Sequence, residues 1–358
     1  MIPPGETIGI LGGGQLGRML AMAAAQLGYR CHVFAPEADS IAADVCAAFT
    51  RAEWSDAEAL ARFAADCAVI TYEFENVPVA PLGALGDALL LPGANALEVA
   101  QDRLSEKAFV SELGGRPAPF APVDSRADLL AAMARIGTPG VLKTRRDGYD
   151  GKGQWRIMTP ADAEALGDQV FARPLVYEGF VHFDAEFSVI LCRAANGDVR
   201  FWDSPENRHD GGILARSTVP AGRKVAGQVG QARQLARAVA DRLGYVGVLT
   251  CEFFATSASD GGGPVFNEMA PRVHNSGHWT IEGAITSQFE NHVRAICGLP
   301  LGETRLAAKG VVMDNLIGDA AHDWAAILSD PTNHLHLYGK AAARPGRKMG
   351  HVTRLILE

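Results

Sequence analysis

In the run Asn267-Glu268-Met269-Ala270-Pro271-Arg272-Val273-His274-Asn275-Ser276-Gly277-His278, Glu268 stands sixteen residues after Glu252 of Leu249-Thr250-Cys251-Glu252-Phe253-Phe254. Both glutamates are flanked by β-prone apolar residues, and Ser259-Asp260-Gly261-Gly262-Gly263-Pro264 between them reads as a hairpin turn. The pattern predicts two carboxylates on neighbouring strands. They are solvated strand ends, partners for nearby arginines or a shared cation site, the last because carboxylates that face one another without a cation are unfavourable. Hard oxygen ligands suit Mg²⁺, which keeps several waters and takes its remaining ligands from substrate phosphates. Arg272, His274, Asn275 and His278 follow on a short loop and read as an anion site. A metal site joined to an anion site suits phosphoryl transfer to a small anion.

The bulk composition narrows the partners. The chain has 358 residues, 48% hydrophobic and 21% charged, enough for two or three domains with their own cores. A net charge of −8 argues against nucleic acid as the main partner, since a phosphate backbone needs a basic face. The six cysteines show no C-x-x-C spacing, so neither a zinc site nor a disulfide framework is indicated. The N-terminus has no basic segment leading into an apolar one, and no uncharged run approaches the ~20 residues of a membrane span. The expectation is a cytoplasmic protein with no membrane partner.

Residues 7–50 read as strand, glycine turn, helix and strand, and a helix and strand over 56–72 extend this into a parallel, Rossmann-like α/β unit. Ligands are expected at the carboxyl ends of its strands. After Leu91-Pro92-Gly93 the pattern changes: helices over 95–113, then short strands and hairpin signals to about Phe254, broken by helices near 161–170 and 228–243. This middle part reads as α+β. Strand-like runs at 310–316, 334–338 and 352–357 make a small β-rich tail. The fold class is thus an α/β N-terminal domain (1–98), an α+β domain (99–297) and a small β-rich C-terminal domain (298–358).

Four further motifs carry chemistry. Gly12-Gly13-Gly14-Gln15-Leu16-Gly17 satisfies G-x-G-x-x-G between a strand and a helix. It reads as a close-packing turn, a cradle for a substrate phosphate or, less favoured, a dinucleotide site with Glu37 or Asp39 on the ribose. Arg145-Arg146-Asp147-Gly148-Tyr149-Asp150-Gly151-Lys152-Gly153-Gln154 reads as a glycine flap over a polyphosphate, with Lys143 on the strand before it as a point charge. Val176-Tyr177-Glu178-Gly179-Phe180-Val181 reads as a strand running into a linker that docks an adenine, with Glu186 on the next strand for ribose hydroxyls. Lys340, Arg344, Arg347 and Lys348 place four positive charges within nine residues of an acidic chain, an expected anion subsite. The P-loop pattern G-x-x-x-x-G-K-[ST] is absent, so a nucleotide site must be of another type.

Lys143, the Gly148–Gly153 loop, the Glu178–Val181 linker, Glu186 and the Glu252/Glu268 pair together resemble the ATP-grasp superfamily in order and spacing. Gly9 to Met19, Asn267 to His278, and Tyr338-Gly339-Lys340 with Arg344 to His351 are similar, more narrowly, to the purine-biosynthesis enzymes that carboxylate 5-aminoimidazole ribonucleotide. The resemblance implies ATP and bicarbonate as co-substrates, carboxyphosphate as intermediate, and Mg²⁺, two ions with Mn²⁺ as substitute, on Glu252 and Glu268. It implies an ATP site of Arg103, Lys143, Gly148, Tyr149, Asp150, Gly151, Lys152, Gly153, Gln154, Glu178, Gly179, Phe180, Val181, Glu186, His209, Asn267 and Glu268. Arg272, His274 and Asn275 are the implied catalytic residues around bicarbonate. Gly14, Gln15, Leu16, Tyr149, Asp150, Lys340 and Arg347 are the implied contacts of the imidazole ribonucleotide, and a homodimer is the implied assembly. Many superfamily members carry an asparagine two residues after the second metal-binding glutamate; Ala270 stands there, which leaves a third protein ligand open. Val273 and Trp279 stand where proline and tyrosine are expected. The nearest rival is a relative that transfers formyl to glycinamide ribonucleotide; a nicotinamide oxidoreductase and a non-catalytic nucleotide-binding module are the others.

Overall fold

A computed structural model describes residues 1–148, 153–257, 259 and 261–358. The expectations placed on Tyr149, Asp150, Gly151 and Lys152 lie outside the described residues. Strands β1 (Thr7–Leu11), β2 (Arg30–Ala35), β3 (Ala48–Arg51) and β4 (Val69–Tyr72) form a parallel sheet in the order β3-β2-β1-β4. The chain steps outward from β1 to β3 and then returns to the other side of β1, so β1 and β4 flank a topological switch point where a crevice opens. The expected strands and helices of this unit are all present, and β3 is an addition to them. Its Ala-Phe-Thr-Arg lacks an alternating pattern, and only the edge of β2 recruits it.

A second, antiparallel sheet has the order β5-β8-β6-β7, from β5 (Phe120–Val123), β6 (Gly140–Thr144), β7 (Gln154–Ile157) and β8 (Leu175–Gly179). The helix Arg126–Ile136, capped by the Ser125 side chain, buries Leu129, Ala132 and Met133 against Leu142, Ile157 and Tyr177 of this sheet. Sheet and helix form a small subdomain.

The largest sheet takes in β9 (Ala185–Arg193), β10 (Val199–Phe201), β11 (Glu206–Asp210), β12 (Ile213–Val219), β13 (Gly247–Thr256), β14 (Gly263–Ala270), β15 (Gly310–Ile317), β16 (Asn333–Leu337) and β17 (Lys348–Ile356). Its order is β14-β13-β9-β11-β12-β15-β17-β16, with β10 beside β9. Through the antiparallel pairing of β12 with β15, the C-terminal strands continue the central sheet. Alternation along β9 and β13 sorts their side chains between two cores. Phe187, Val189, Leu191, Leu249, Cys251 and Phe253 pack with Ala232, Ala236 and Val239 of the helix Val229–Arg242. Ile190, Cys192 and Val248 face the other way, into a core shared with Leu20 and Ala24 of the helix Gln15–Gln26 and Phe289 and Val293 of the helix Gln288–Ile296. That shared core docks the N-terminal unit on the sheet. Val273 and Trp279 are also fully buried in it, so the two departures from the expected motif are packing changes. No helix of the described residues is long and apolar enough to cross a membrane.

Candidate active site

The three parts converge on one cavity of about 900 Å³. The N-terminal unit lines it with Gly12, Gly13, Gly14, Gln15 and Leu16 after β1 and with Glu73 to Asn76 after β4. These are the carboxyl ends of the strands at the switch point. The middle part supplies Arg103, Gly148, Glu252, Glu268, Arg272, His274 and Asn275, and the tail supplies Lys340, Arg344, Arg347 and Lys348. Residues far apart in sequence thus surround one space with both carboxylates and cations.

Glu252 and Glu268 are directly opposed on β13 and β14. A bulge decides this: Phe253 pairs with Phe266 and Glu252 with Glu268, leaving Asn267 as the extra residue. Without it Asn267 would stand opposite Glu252; the extra residue turns Glu268 to the same face instead. The bulged Asn267 presents its carbonyl to Lys107 Nζ at 3.2 Å. Burial pushes the Glu252 carboxyl up, and the neighbouring Glu268 charge adds to this. Burial opposes ionisation of Glu268 as well, but Arg103, whose Nη1 donates to Oε2 at 2.9 Å, holds it below the ordinary carboxylate range. An anionic pair of this kind, one member pressed toward protonation by the other, fits a divalent cation that takes its remaining ligands from water and phosphate.

Behind Arg103 lies a buried cluster of opposite sign. Glu178 Oε2 receives Lys143 Nζ at 2.9 Å and Lys107 Nζ at 3.2 Å. Burial works against the Glu178 charge, yet the two ammonium groups bring its pKa from 4.5 down to about 2. Lys143 is pressed the other way: burial, with the Lys107 and Arg103 charges, lowers it in spite of Glu178. The cluster therefore holds an excess of positive charge that a polyphosphate would offset. Beside it, burial pushes Glu106 up to about 8 against the pull of Lys107, and its Oε1 accepts the Met269 N–H. Arg145 forks onto Asp102, the cap of the helix Arg103–Glu112, at 2.7 and 3.1 Å, which ties the root of the flap to the helix that carries Arg103. Arg103 Nη2 also donates to the Gly148 carbonyl at 3.3 Å.

The loop after β14 is held from three sides. The Arg272 guanidinium pairs with Glu75, and its Nη1 donates to the Val273 carbonyl at 3.0 Å. Gln288 brackets the His274 backbone: its Oε1 accepts the N–H at 2.9 Å and its Nε2 donates to the carbonyl at 2.6 Å. The His274 ring faces Glu252 Oε1 through Nε2 at 3.2 Å, while its Nδ1 accepts the Ser276 N–H. Burial, reinforced by the Arg272 charge, keeps this ring far below the usual histidine pKa. It is therefore neutral, with its proton on Nε2 directed at Glu252. Asn275 exchanges hydrogen bonds with Asn315.

Of the expected residues, Gly14, Gln15, Leu16, Arg103, Gly148, Glu252, Glu268, Arg272, His274, Asn275, Lys340 and Arg347 line the cavity together. Lys143 and Glu178 stand behind it, joined to one another. Glu186 pairs with His209, and both lie close enough to Glu252 to act on it electrostatically. Gly179 and Phe180 spend their N–H groups on the Pro119 and Pro139 carbonyls, and Val181 follows half-buried beyond the strand end. Gln154 sits opposite Lys143 on β7. Gly153 adopts φ +69° and its carbonyl accepts the Thr144 N–H. His278 turns away from the cavity and is buried against Phe289, Tyr338 and His351. The glycine turn also differs from a free phosphate cradle: Glu73 accepts the Gly14 N–H at 2.8 Å and the Gly17 N–H at 3.3 Å. A carboxylate of the protein occupies the helix N-terminus that a dinucleotide pyrophosphate would need. Sequence reasoning misses Glu73, Glu75 and Lys107. For the first two a signal exists: Glu73-Phe74-Glu75-Asn76 directly follows β4, a strand end at a switch point.

Comparison with known proteins agrees with this geometry. Residues 5–101 match the ribonucleotide synthetase preATP-grasp domain, 108–289 the ATP-grasp domain and 311–356 the phosphoribosylaminoimidazole carboxylase C-terminal domain. An N5-carboxyaminoimidazole ribonucleotide synthase of Brucella melitensis is 49% identical over 99% of this chain and 97% of its own. The crystal structure of the corresponding synthetase from Thermus thermophilus is similar with a TM-score of 0.89 and 47% identity, over 97% of this chain and 93% of that one. The Aspergillus clavatus synthase, solved with ADP and 5-aminoimidazole ribonucleotide, gives 0.88 and 29%, over 98% and 93%. These matches carry the carboxylating branch and not the formyl-transferring one. With carboxylates and cations gathered in one cavity and all three of its parts matched in order, the chain belongs to the N5-carboxyaminoimidazole ribonucleotide synthase family of ATP-grasp ligases, which form carbon–nitrogen bonds.

Proposed function

We propose that the chain carboxylates 5-aminoimidazole ribonucleotide with ATP and bicarbonate, by way of carboxyphosphate. What supports this above all is the meeting of the Glu252/Glu268 pair, the Arg272–Asn275 loop and the basic tail in one cavity. A bicarbonate oxygen attacks the γ-phosphorus, the bond to the β–γ bridging oxygen breaks, and ADP leaves. The exocyclic amine then bonds to the carboxyl carbon, phosphate departs, and the amine loses a proton. Bicarbonate carbon is a poor electrophile, so phosphorylation supplies the missing leaving group.

Magnesium, held by Glu252 and Glu268, would neutralise charge developing on the phosphates. Arg103, Lys107 and Lys143 take the triphosphate, whose charge offsets their buried excess. Adenine docks on the linker Glu178 to Val181, with Glu186 and His209 at the ribose end. Arg272 and Asn275 orient bicarbonate, and neutral His274 keeps Glu252 aligned without adding a competing cation. Lys340 and Arg347, with Gln15 and Leu16, hold the ribonucleotide. Carboxyphosphate hydrolyses readily, so the flap of residues 148–154 must shut out water. The domain limits 1–98, 99–297 and 298–358, a homodimeric assembly and a cytoplasmic location complete the proposal. Six free thiols are in keeping with a reducing compartment.

ADP release at the full rate is expected only when bicarbonate and 5-aminoimidazole ribonucleotide are both present; stimulation by formate with glycinamide ribonucleotide instead would overturn the assignment. A second test needs no turnover. Glu252→Gln relieves the carboxylate repulsion while keeping an oxygen for His274, so the metal-free variant should melt roughly 2 °C higher than the parent, about 1 kcal/mol. Magnesium should raise the melting temperature of the parent and leave that of Glu252→Gln unmoved; an equal rise in both would exclude Glu252 as a ligand.

A further inference from the structure

We infer that Asn315, outside the cavity on β15, is a positioning residue for the bicarbonate loop, acting through Asn275; this rests on the role given above to Arg272–Asn275. Asn275 Nδ2 donates to Asn315 Oδ1 at 2.9 Å, and Asn315 Nδ2 donates back to Asn275 Oδ1 at 2.9 Å. The second N–H of Asn315 goes to the Leu214 carbonyl of β12 at 2.8 Å. That contact settles which way the amide points. A backbone carbonyl only accepts, so the atom facing Leu214 is nitrogen, and oxygen is left for Asn275. Both N–H groups and the carbonyl of Asn315 are thus committed, a set of partners that only a carboxamide of this length satisfies.

The two ends of this contact differ in rigidity. Asn315 is paired with His351 of β17 and lies one residue beyond the last β15–β12 pair, Asp314 with Arg216, whose side chains fork together at 2.6 and 3.0 Å. Asn275 opens the short 3-10 turn Asn275–Gly277, one residue after His274 and three after Arg272. The amide pair therefore pins a loop to a sheet, in addition to the clamp that Gln288 places on the His274 backbone. The same sheet carries the basic tail. Asn315 is the register partner of His351 on β17, the strand that begins at Lys348. Through Asn315, the loop that holds the carboxyl donor and the tail that holds the acceptor share one rigid support. Loosening it should impair retention of bicarbonate and carboxyphosphate while leaving the ATP site, which lies on β13, β14 and the small subdomain, as it was.

The test uses the full chain with Asn315→Ala and the near-isosteric Asn315→Asp, in which the oxygen that replaces Nδ2 would face the Leu214 carbonyl and Asn275 Oδ1. KM for bicarbonate, KM for ATP, melting temperature, and ADP formed against carboxylated product are measured together. Both variants should raise the bicarbonate KM roughly five- to tenfold, the scale of one or two lost hydrogen bonds, and release ADP in excess of product. KM for ATP and the melting temperature should stay near those of the parent. The double change Asn275→Ala with Asn315→Ala should cost less than the sum of the single changes. Unchanged bicarbonate KM and tight coupling in both variants would overturn the assignment. So would a collapse of stability that moves every constant together, which marks a structural role alone. If the parent itself shows no bicarbonate dependence, the function proposed above fails first, and that outcome is read from the parent without any variant.

Discussion

Glu268→Gln is expected to lower the rate of ADP formation by roughly a thousandfold or more with the fold retained. The amide nearly preserves the shape of the side chain but removes the charge that faces Glu252 across the β13–β14 bulge. It also removes the anionic partner of Arg103, 2.9 Å away. Arg103 would keep its contact with the Gly148 carbonyl but lose the carboxylate that holds its other nitrogen at the cavity wall. Stability should change little. The Glu268 side chain is 40% exposed to the cavity, which screens the lost ion pair to about 1 kcal/mol although its partner Arg103 is only 11% exposed, and relief of repulsion with Glu252 works in the opposite direction. Steady-state ADP release and a thermal melt on the same preparation check both halves. Turnover within tenfold of the parent, from a normally melting protein, would remove Glu268 from the metal site and favour a nucleotide-binding role without catalysis.

Glu178→Gln is expected to act on stability instead, by about 3–5 kcal/mol. Its carboxylate lies between Lys143 and Lys107 with only 4% of the residue exposed, and removing the charge leaves two buried ammonium groups with no counter-ion between them. The same carboxylate predicts the acid limb of the stability curve. Its pKa falls from an ordinary 4.5 to about 2 in the fold, so its stabilisation is complete above pH 4.5 and is lost as pH drops toward 2. The amount at stake is about 3 kcal/mol for a shift of this size. Urea melts of the parent between pH 6 and 3 should show this decline, and Glu178→Gln should be weaker at neutral pH with a flatter acid limb. An identical acid slope in the variant would mean that other carboxylates set it. ATP at saturating concentration should recover part of the loss, because its phosphates supply the missing negative charge.

Much of this molecule is legible in its sequence because the signals are local. Strand β1, the glycine turn and the helix Gln15–Gln26 follow from an apolar run, three glycines and a 3.6-residue period, all close together in the chain. The Glu252/Glu268 pair is legible in part for the same reason: two apolar strands joined by a glycine-rich turn bring their carboxylates near one another, and the bulge at Asn267 then sets them opposite. The helix Gln288–Ile296 carries a helical stripe of Phe289, Val293 and Ile296, but nothing local shows that its Gln288, Asn291 and His292 are buried as hydrogen-bonding braces.

Residue chemistry and order along the chain determined that there is a carboxylate pair, a glycine-rich segment after Lys143 and a basic tail, and hence the family. Tertiary structure decided how each side chain is used. A single bulged residue at Asn267 sets which residue opposes Glu252. Long-range partners then spend groups that look free in the sequence: Glu73 takes the N–H groups of the glycine turn, Glu178 joins two lysines, Glu75 holds Arg272, and Asn315 holds Asn275. These contacts join residues between 35 and 197 positions apart. Hydrogen bonds and ion pairs act over about 3 Å in space, a proximity that separation along the chain does not encode.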